Sequence, residues 1–219
     1  MIGIYGGTFD PIHLGHIHLI QSLLQTKMFE KIVLIPAKQN PLKSSPSKIP
    51  ETFRIKMLEA SLRELNDPRV ELWLGELKRP GVSYMKDTLQ ELQKDYGSDL
   101  TLILGNEVFQ EFPKWKDPNL ILNLANILVV ERTLPFCDPH PILKACGIQD
   151  GELNEGTLFY ANNSRWIKTV KINALPHSGT ELREQLVNAW KTGGLSSPPQ
   201  GIQRSVWLLI KENQLYAVN

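Results

Sequence analysis

The chain opens with a short apolar run, Met1-Ile2-Gly3-Ile4-Tyr5, and passes directly into Gly6-Gly7-Thr8-Phe9-Asp10-Pro11-Ile12-His13-Leu14-Gly15-His16. A brief run rich in β-branched and aromatic residues, ended by paired glycines, predicts a buried strand entering a tight turn. Asp10-Pro11 continues the turn, and the stretch from His16 to Met28 is amphipathic at helical spacing. Strand, glycine turn and helix start together aim backbone N–H groups and the positive end of a helix dipole at one point. That arrangement suits an anion. The string therefore reads as a phosphate site, with His13 and His16 beside it.

The rest of the chain repeats the theme of apolar run followed by helical pattern. Lys31 to Pro36 reads as a buried strand, and Glu51 to Leu65 as a helix with Phe53, Met57, Leu58, Ser61, Leu62 and Leu65 at three-and-four spacing. Val70 to Leu74 is a strand candidate, and Tyr84 to Tyr96 a second strong helix. Leu100 to Leu104 and Ile127 to Glu131 are further strands. Thr133 to Ser164 is polar and weakly periodic, and is expected to be a partly helical excursion before a last strand at Lys168 to Ile172. Helices follow from Ser178 to about Trp190 and from Ile202 to Asn213. Such alternation predicts an α/β fold, a Rossmann-like, doubly wound and mostly parallel sheet with helices on both faces. Ligands bind such sheets beyond the carboxyl ends of the strands. The loops after Tyr5, Ile35 and Leu104 are then the candidate site.

At 219 residues, 42% hydrophobic and 21% charged, the sequence suits one domain with a sizeable core. Residues 1–176 are expected to form the α/β nucleotide-binding core and 177–219 a helical segment completing the site. A net charge of +1 provides no broad field for nucleic acid or anionic membrane, so anion recognition must be local. Cys137 and Cys146 lack metal or redox spacing. The N-terminus carries no signal-peptide pattern, and Leu120 to Val130 is too short to span a bilayer. A cytoplasmic protein is expected, either monomeric or a homo-oligomer.

Histidine pairs are usually one core residue and one exposed residue, but the flanking Gly6, Gly7 and Gly15 favour the phosphate reading here. Metal binding by His13, His16 and His18 is disfavoured. His16 and His18 point to different helix faces, and no carboxylate or cysteine joins them. Asp10 reads as an Asx turn before Pro11, whereas Thr8 and Phe9 are expected to turn backbone N–H groups to a phosphate. Ser178-Gly179-Thr180-Glu181 matches a capping box. A helix start of this kind, with Arg183 further in, can hold a phosphate or be a plain surface helix. Lys43 can serve a phosphate or simply be solvated. Trp115 can stack on a flat ring or pack in the core. Asn106 and Glu107 can bond a ribose or cap the next helix.

At these residues the chain resembles the nucleotidyltransferases with the HxGH signature. His13-Leu14-Gly15-His16 matches it, as does the upstream GGTFDP, and SGTELR at Ser178 to Arg183 is similar to the second signature of that superfamily. The blocks ELKRPGVSYMKDTLQEL from Glu76, LILGNEVFQEFPKW from Leu102 and the closing IKENQLY resemble bacterial nicotinate-nucleotide adenylyltransferases. The resemblance implies condensation of ATP with nicotinate mononucleotide, giving deamido-NAD and pyrophosphate in NAD biosynthesis. It further implies Mg²⁺ carried on ATP with few or no protein ligands. By matching position it assigns His13, His16 and Arg183 to catalysis. ATP would lie against Gly6, Gly7, Thr8 and Phe9, with Lys43, Gly105, Ser178 and Thr180 assisting. The mononucleotide would lie against Tyr84, Thr88, Glu107 and Trp115. Departures from the pattern are Glu107 for the usual aspartate, Leu42 for a frequent histidine, and His177 and Gly179 around Ser178. Two other readings stay open at this point. One is an HxGH enzyme acting on nicotinamide mononucleotide or phosphopantetheine, and the other is a catalytically silent nucleotide-binding regulator.

Overall fold

The computed structural model describes residues 1–39, 47, 49–131, 138–148, 151–154, 157–160, 164–173, 175–193 and 197–217. The chain begins β1 (Ile2–Gly7), α1 (Leu14–Gln25), β2 (Lys31–Pro36), α2 (Glu51–Leu65) and β3 (Val70–Leu72). It continues with α3 (Gly75–Lys78), α4 (Met85–Tyr96), β4 (Leu100–Gly105) and α5 (Asn106–Gln110). A single 3₁₀ turn (Phe112–Lys114) leads into α6 (Pro118–Leu124) and β5 (Asn126–Glu131). Then come α7 (His140–Ala145), β6 (Glu152–Asn154), β7 (Thr157–Tyr160), β8 (Arg165–Lys171), α8 (Gly179–Thr192) and α9 (Arg204–Glu212).

Among the described residues the strands form one sheet in the order β3-β2-β1-β4-β5-β8-β7-β6. The six from β3 to β8 run parallel, while β7 is antiparallel to β8 and β6 to β7. Strand β1 pairs with β2 over its whole length and with β4 at Ile2–Ile4. The winding therefore reverses between β1 and β4, and the loops leaving their carboxyl ends diverge to opposite faces, which opens a crevice.

Period-two alternation along the strands feeds two cores. Ile32, Leu34, Ile103, Leu128 and Val130 face one layer, with Ile17, Ile20, Leu23 and Leu24 of α1, Met57 and Leu58 of α2, Leu182 and Leu186 of α8, and Val206 and Ile210 of α9. Val33, Ile35, Leu102, Leu104, Ile127 and Val129 face the other, with Leu89 and Leu92 of α4, Phe109 of α5, and Ile121 and Leu122 of α6. The C-terminal helices are thus a built-in part of the first layer.

The doubly wound expectation holds, and element boundaries shift by a few residues. The segment 133–164 is where the structure differs most from the sequence reading. It does contain a helix, α7, but also the two strands β6 and β7, which extend the sheet as an antiparallel hairpin. Three- and four-residue strands on a sheet edge are too short to display a readable alternation. The last strand also starts earlier than expected, at Arg165, because its first residues pair with β7.

Ile210 is fully buried in the layer shared by α2 and α9. Ile210→Ala should lower unfolding free energy by about 2–5 kcal/mol in urea titration. A loss under about 1 kcal/mol would show that the C-terminal helix is not integral to the core.

Candidate active site

The first half of the site is the turn from β1 into α1. His13 is 3% exposed and occupies the N-cap position of α1 in an extended conformation, φ −146° and ψ 169°. Its backbone N–H donates to Nδ1 of His16 at 3.2 Å. A neutral imidazole that accepts at Nδ1 carries its proton on Nε2, so His16 is set up as an Nε2–H donor. The two rings lie against each other, with centroids 3.7 Å apart and planes at 33°. Phe9 closes on His16 with a centroid distance of 5.1 Å. Gly15 suits this close packing, since a Cβ there would sit 3.0 Å from the His13 ring and 3.4 Å from the His177 carbonyl oxygen.

That last contact brings in the second half. Ser178 caps α8, its Oγ accepting from the Glu181 N–H at 3.2 Å, which is the N-cap half of the expected capping box. Arg183 reaches from α8 to the first loop. Its Nη1 donates to the Asp10 carbonyl at 2.7 Å and its Nη2 to Thr180 Oγ1 at 3.0 Å. The two signature segments, far apart in sequence, therefore abut in space.

Asp10 differs from the expectation of a local Asx turn. Its carboxylate is buried and accepts from the Tyr216 hydroxyl at 2.7 Å and from the Ser47 hydroxyl at 2.7 Å. Both partners are remote in sequence, which a turn reading cannot anticipate. Beneath the same loop, Arg54 is 1% exposed, and its Nη1 donates to the carbonyls of Thr8 at 2.8 Å and Ala37 at 2.9 Å. Burial lowers its pKa, while Glu51, Asp10 and Tyr216 act in the opposite direction. Arginine starts high enough to stay charged.

Next to the glycine turn, at the carboxyl ends of β1, β2 and β4, lies a cavity of about 710 Å³. Gly6, Gly7 and Thr8 form its phosphate-side edge, Ile35, Leu102 and Leu104 its floor, and Tyr84, Met85, Val108 and Trp115 its walls. Trp115 packs on Phe112 at a centroid distance of 5.3 Å, and its buried indole Nε1–H has no acceptor among the described residues. A buried donor without a partner is a natural anchor for a polar ligand atom. The cavity is mostly apolar and rimmed by charge, the usual make-up of a site for a flat organic ring.

Several expected contributors sit elsewhere. Glu107 is exposed on α5 and is not among the cavity-lining residues, whereas its neighbour Val108 is. Thr88 is buried behind the wall, its hydroxyl bonded to Glu76 at 2.6 Å. Gly105 ends β4, and a Cβ there would meet open space. Lys43 lies outside the described residues, as does Cys137. Sequence reasoning missed Arg54, Glu76 and Tyr216. For Arg54 a signal existed, because it falls at three-and-four spacing from Met57, Leu58 and Ser61, on the buried face of α2.

Crevice, glycine turn and stacked histidines define a nucleotide-binding transferase of the cytidylyltransferase-like class, whose family model matches residues 4–185. Proteins named "Probable nicotinate-nucleotide adenylyltransferase" are similar across most of the chain. That of Methylococcus capsulatus is 33% identical over 85% of this chain and 88% of its own length. That of Hydrogenovibrio crunogenus is 32% identical over 99% and 97%. The solved Plasmodium falciparum nicotinic acid mononucleotide adenylyltransferase complexed with NaAD shares the fold, with a TM-score of 0.66 at 18% identity, covering 98% of this chain and 96% of that one. The chain belongs to the nicotinate-nucleotide adenylyltransferase family.

Glu76 lines the cavity at 3% exposure. Burial raises its pKa above the ordinary carboxylate value, against the hydrogen bonds from Thr88 and Ser83 and the charge of Arg79. A raised folded-state pKa means the folded protein binds the proton more tightly. Stability from this site is therefore full at low pH and is lost as pH rises through the shifted value. Glu76→Gln should gain in melting temperature relative to the parent as pH rises from about 4 to about 7. Parallel profiles would refute the buried-carboxyl account.

Proposed function

We propose that the chain catalyses adenylyl transfer from ATP to nicotinate mononucleotide, forming deamido-NAD and releasing pyrophosphate. The observation that carries this reading is the shared edge at Gly6 and Gly7. There, a phosphate clamp of His13, His16 and Arg183 meets an apolar cavity walled by Tyr84 and Trp115. The similarity to proteins of that name supports the same acceptor.

The reaction needs no protein nucleophile. A phosphate oxygen of the mononucleotide attacks the α-phosphorus of ATP, and the bond to the bridging oxygen of the β-phosphate breaks, so pyrophosphate leaves with that electron pair. The protein's work is in-line alignment and stabilisation of charge on the phosphate oxygens. His16 donates from Nε2 to the α-phosphate, where charge develops. His13, Arg183 and the loop N–H groups of Thr8 and Phe9 hold the other phosphates, with Ser178 and the α8 start opposite. Thr180, which accepts from Arg183, belongs to this ATP side. Tyr84 and Trp115 frame the pyridine ring, and Trp115 Nε1–H offers it a polar anchor. Thr88 supports that wall from behind.

The donor set also fits Mg²⁺ delivered on ATP. Asp10, the carboxylate of the β1–α1 loop, is committed to Tyr216 and Ser47, and among the described residues no three metal-ligating side chains gather. The ion would be held chiefly by phosphate oxygens and water. When bound, it neutralises charge on the leaving pyrophosphate. Among the described residues no helix is long and apolar enough to cross a membrane. That observation and the composition favour a cytoplasmic enzyme whose partners are its two substrates.

The decisive assay is pyrophosphate release from Mg·ATP with each acceptor in turn. Release is expected with nicotinate mononucleotide well above nicotinamide mononucleotide or phosphopantetheine. Release with none of them would leave a nucleotide-binding regulator. His16→Ala should fold normally yet lose at least about 100-fold in kcat, and near-parental turnover would reject its role.

A further inference from the structure

We propose that Tyr216 and Asp10 form a positioning pair that sets Arg183 against the ATP phosphates, so that the C-terminal tail tunes nucleotide affinity. The inference rests on the reading above in one respect, that Arg183 faces ATP. Its geometric basis is that three elements hold a single residue of the β1–α1 loop. Arg183 of α8 grips the Asp10 carbonyl at 2.7 Å, Tyr216 beyond α9 grips carboxylate Oδ1 at 2.7 Å, and Ser47 grips Oδ2 at 2.7 Å.

The Tyr216 bond is buried and the other two are partly buried, and together they hold the carboxylate and the carbonyl of one residue. Asp10 is 7% exposed and Tyr216 also 7%. The Arg183 anchor is the main-chain carbonyl of the very residue whose carboxylate Tyr216 fixes, so the tail and the guanidinium cannot shift independently. Burial and the Asp10 charge push the Tyr216 pKa upward, which keeps its hydroxyl a permanent donor. Tyr216 is held at φ +65°, a left-handed conformation that an aromatic residue adopts only when its surroundings impose it. Arg183 is only partly buried and is otherwise tied to Thr180 on its own helix. Without the Asp10 anchor, its long side chain would sample several rotamers.

The test is calorimetric titration of ATP and, separately, of nicotinate mononucleotide into four proteins: the parent, Tyr216→Phe, Arg183→Ala and the double variant, with urea midpoints as a folding control. Tyr216→Phe should bind ATP about tenfold more weakly, as expected for loss of one buried bond to a charged group. Its affinity for the mononucleotide should stay within about twofold. On the Arg183→Ala background the same change should add less than about twofold, because the effect is transmitted through Arg183. Ser47→Ala, which removes the other donor to the same carboxylate, should show the same selectivity at smaller size. ATP affinity unchanged in Tyr216→Phe, equal loss for both ligands, full persistence of the loss without Arg183, or failure to fold cooperatively would each overturn the proposal. A parent that binds ATP but forms no product with the mononucleotide would defeat the proposed reaction instead and leave this test intact.

Discussion

One buried guanidinium holds the exits of two neighbouring strands together. Strands β1 and β2 run in parallel register as far as Gly7 and Pro36, after which their chains must part. The carbonyls of Thr8 and Ala37 then lie just beyond the end of the ladder, and both are taken by Nη1 of Arg54. A trans peptide points its C=O and the following N–H to opposite sides. Pinning the Thr8 carbonyl inward therefore turns the Phe9 N–H away from Arg54, leaving it available to a ligand. Both bonds leave one nitrogen, whose two hydrogens diverge toward the two carbonyls. Burying the charge is costly, and Glu51 and Asp10 offset it electrostatically. The anion site proposed outside the loop thus rests on a cation sealed beneath it.

What the sequence reveals of this arrangement divides along a physical line. Long periodic elements were legible because α1, α2, α4 and the strands β1, β2, β4 and β5 each carry enough turns or alternations to show which face is buried. The glycine turn from β1 into α1 was legible because its residues are contiguous. The hairpin β6–β7 was not, since strands of this length show no period. The Asp10 cluster was not either, since its bonds join residues as much as 206 positions apart, and no local pattern encodes a partner at that distance. Arg54 shows both sides of the line. Its burial could be read from its phase on α2, but its acceptors could not, because they are main-chain atoms of other loops. Trp115 was recognisable from its place in the segment after β4, whereas Tyr84 came from matching position. Glu107 was drawn in by its place just after β4 and Thr88 by matching position alone, and the local turn of the helices carries them off the cavity wall.

The two cores also divide the work of the site. The layer built by α1, α2, α8 and α9 carries the histidines, Ser178 and Arg183, and hence everything proposed to grip ATP. The layer built by α4, α5 and α6 carries Tyr84, Val108 and Trp115, and hence the cavity for the second substrate. The sheet between them would separate the substrates were it not for the switch point, where β1 ends and the loops on either side turn away from each other. The residues at that edge are Gly6 and Gly7. A Cβ on Gly6 would sit 3.3 Å from Met85 on the cavity side, and a Cβ on Gly7 would sit 3.0 Å from the Phe9 ring on the phosphate side. Side chains at these two positions would crowd the cavity wall on one side and the clamp on the other, at the one place where both substrates can meet. In-line attack requires the acceptor phosphate and the α-phosphate to touch over that bare backbone. On the proposed reaction, the paired glycines therefore keep this meeting point uncrowded as well as making the turn.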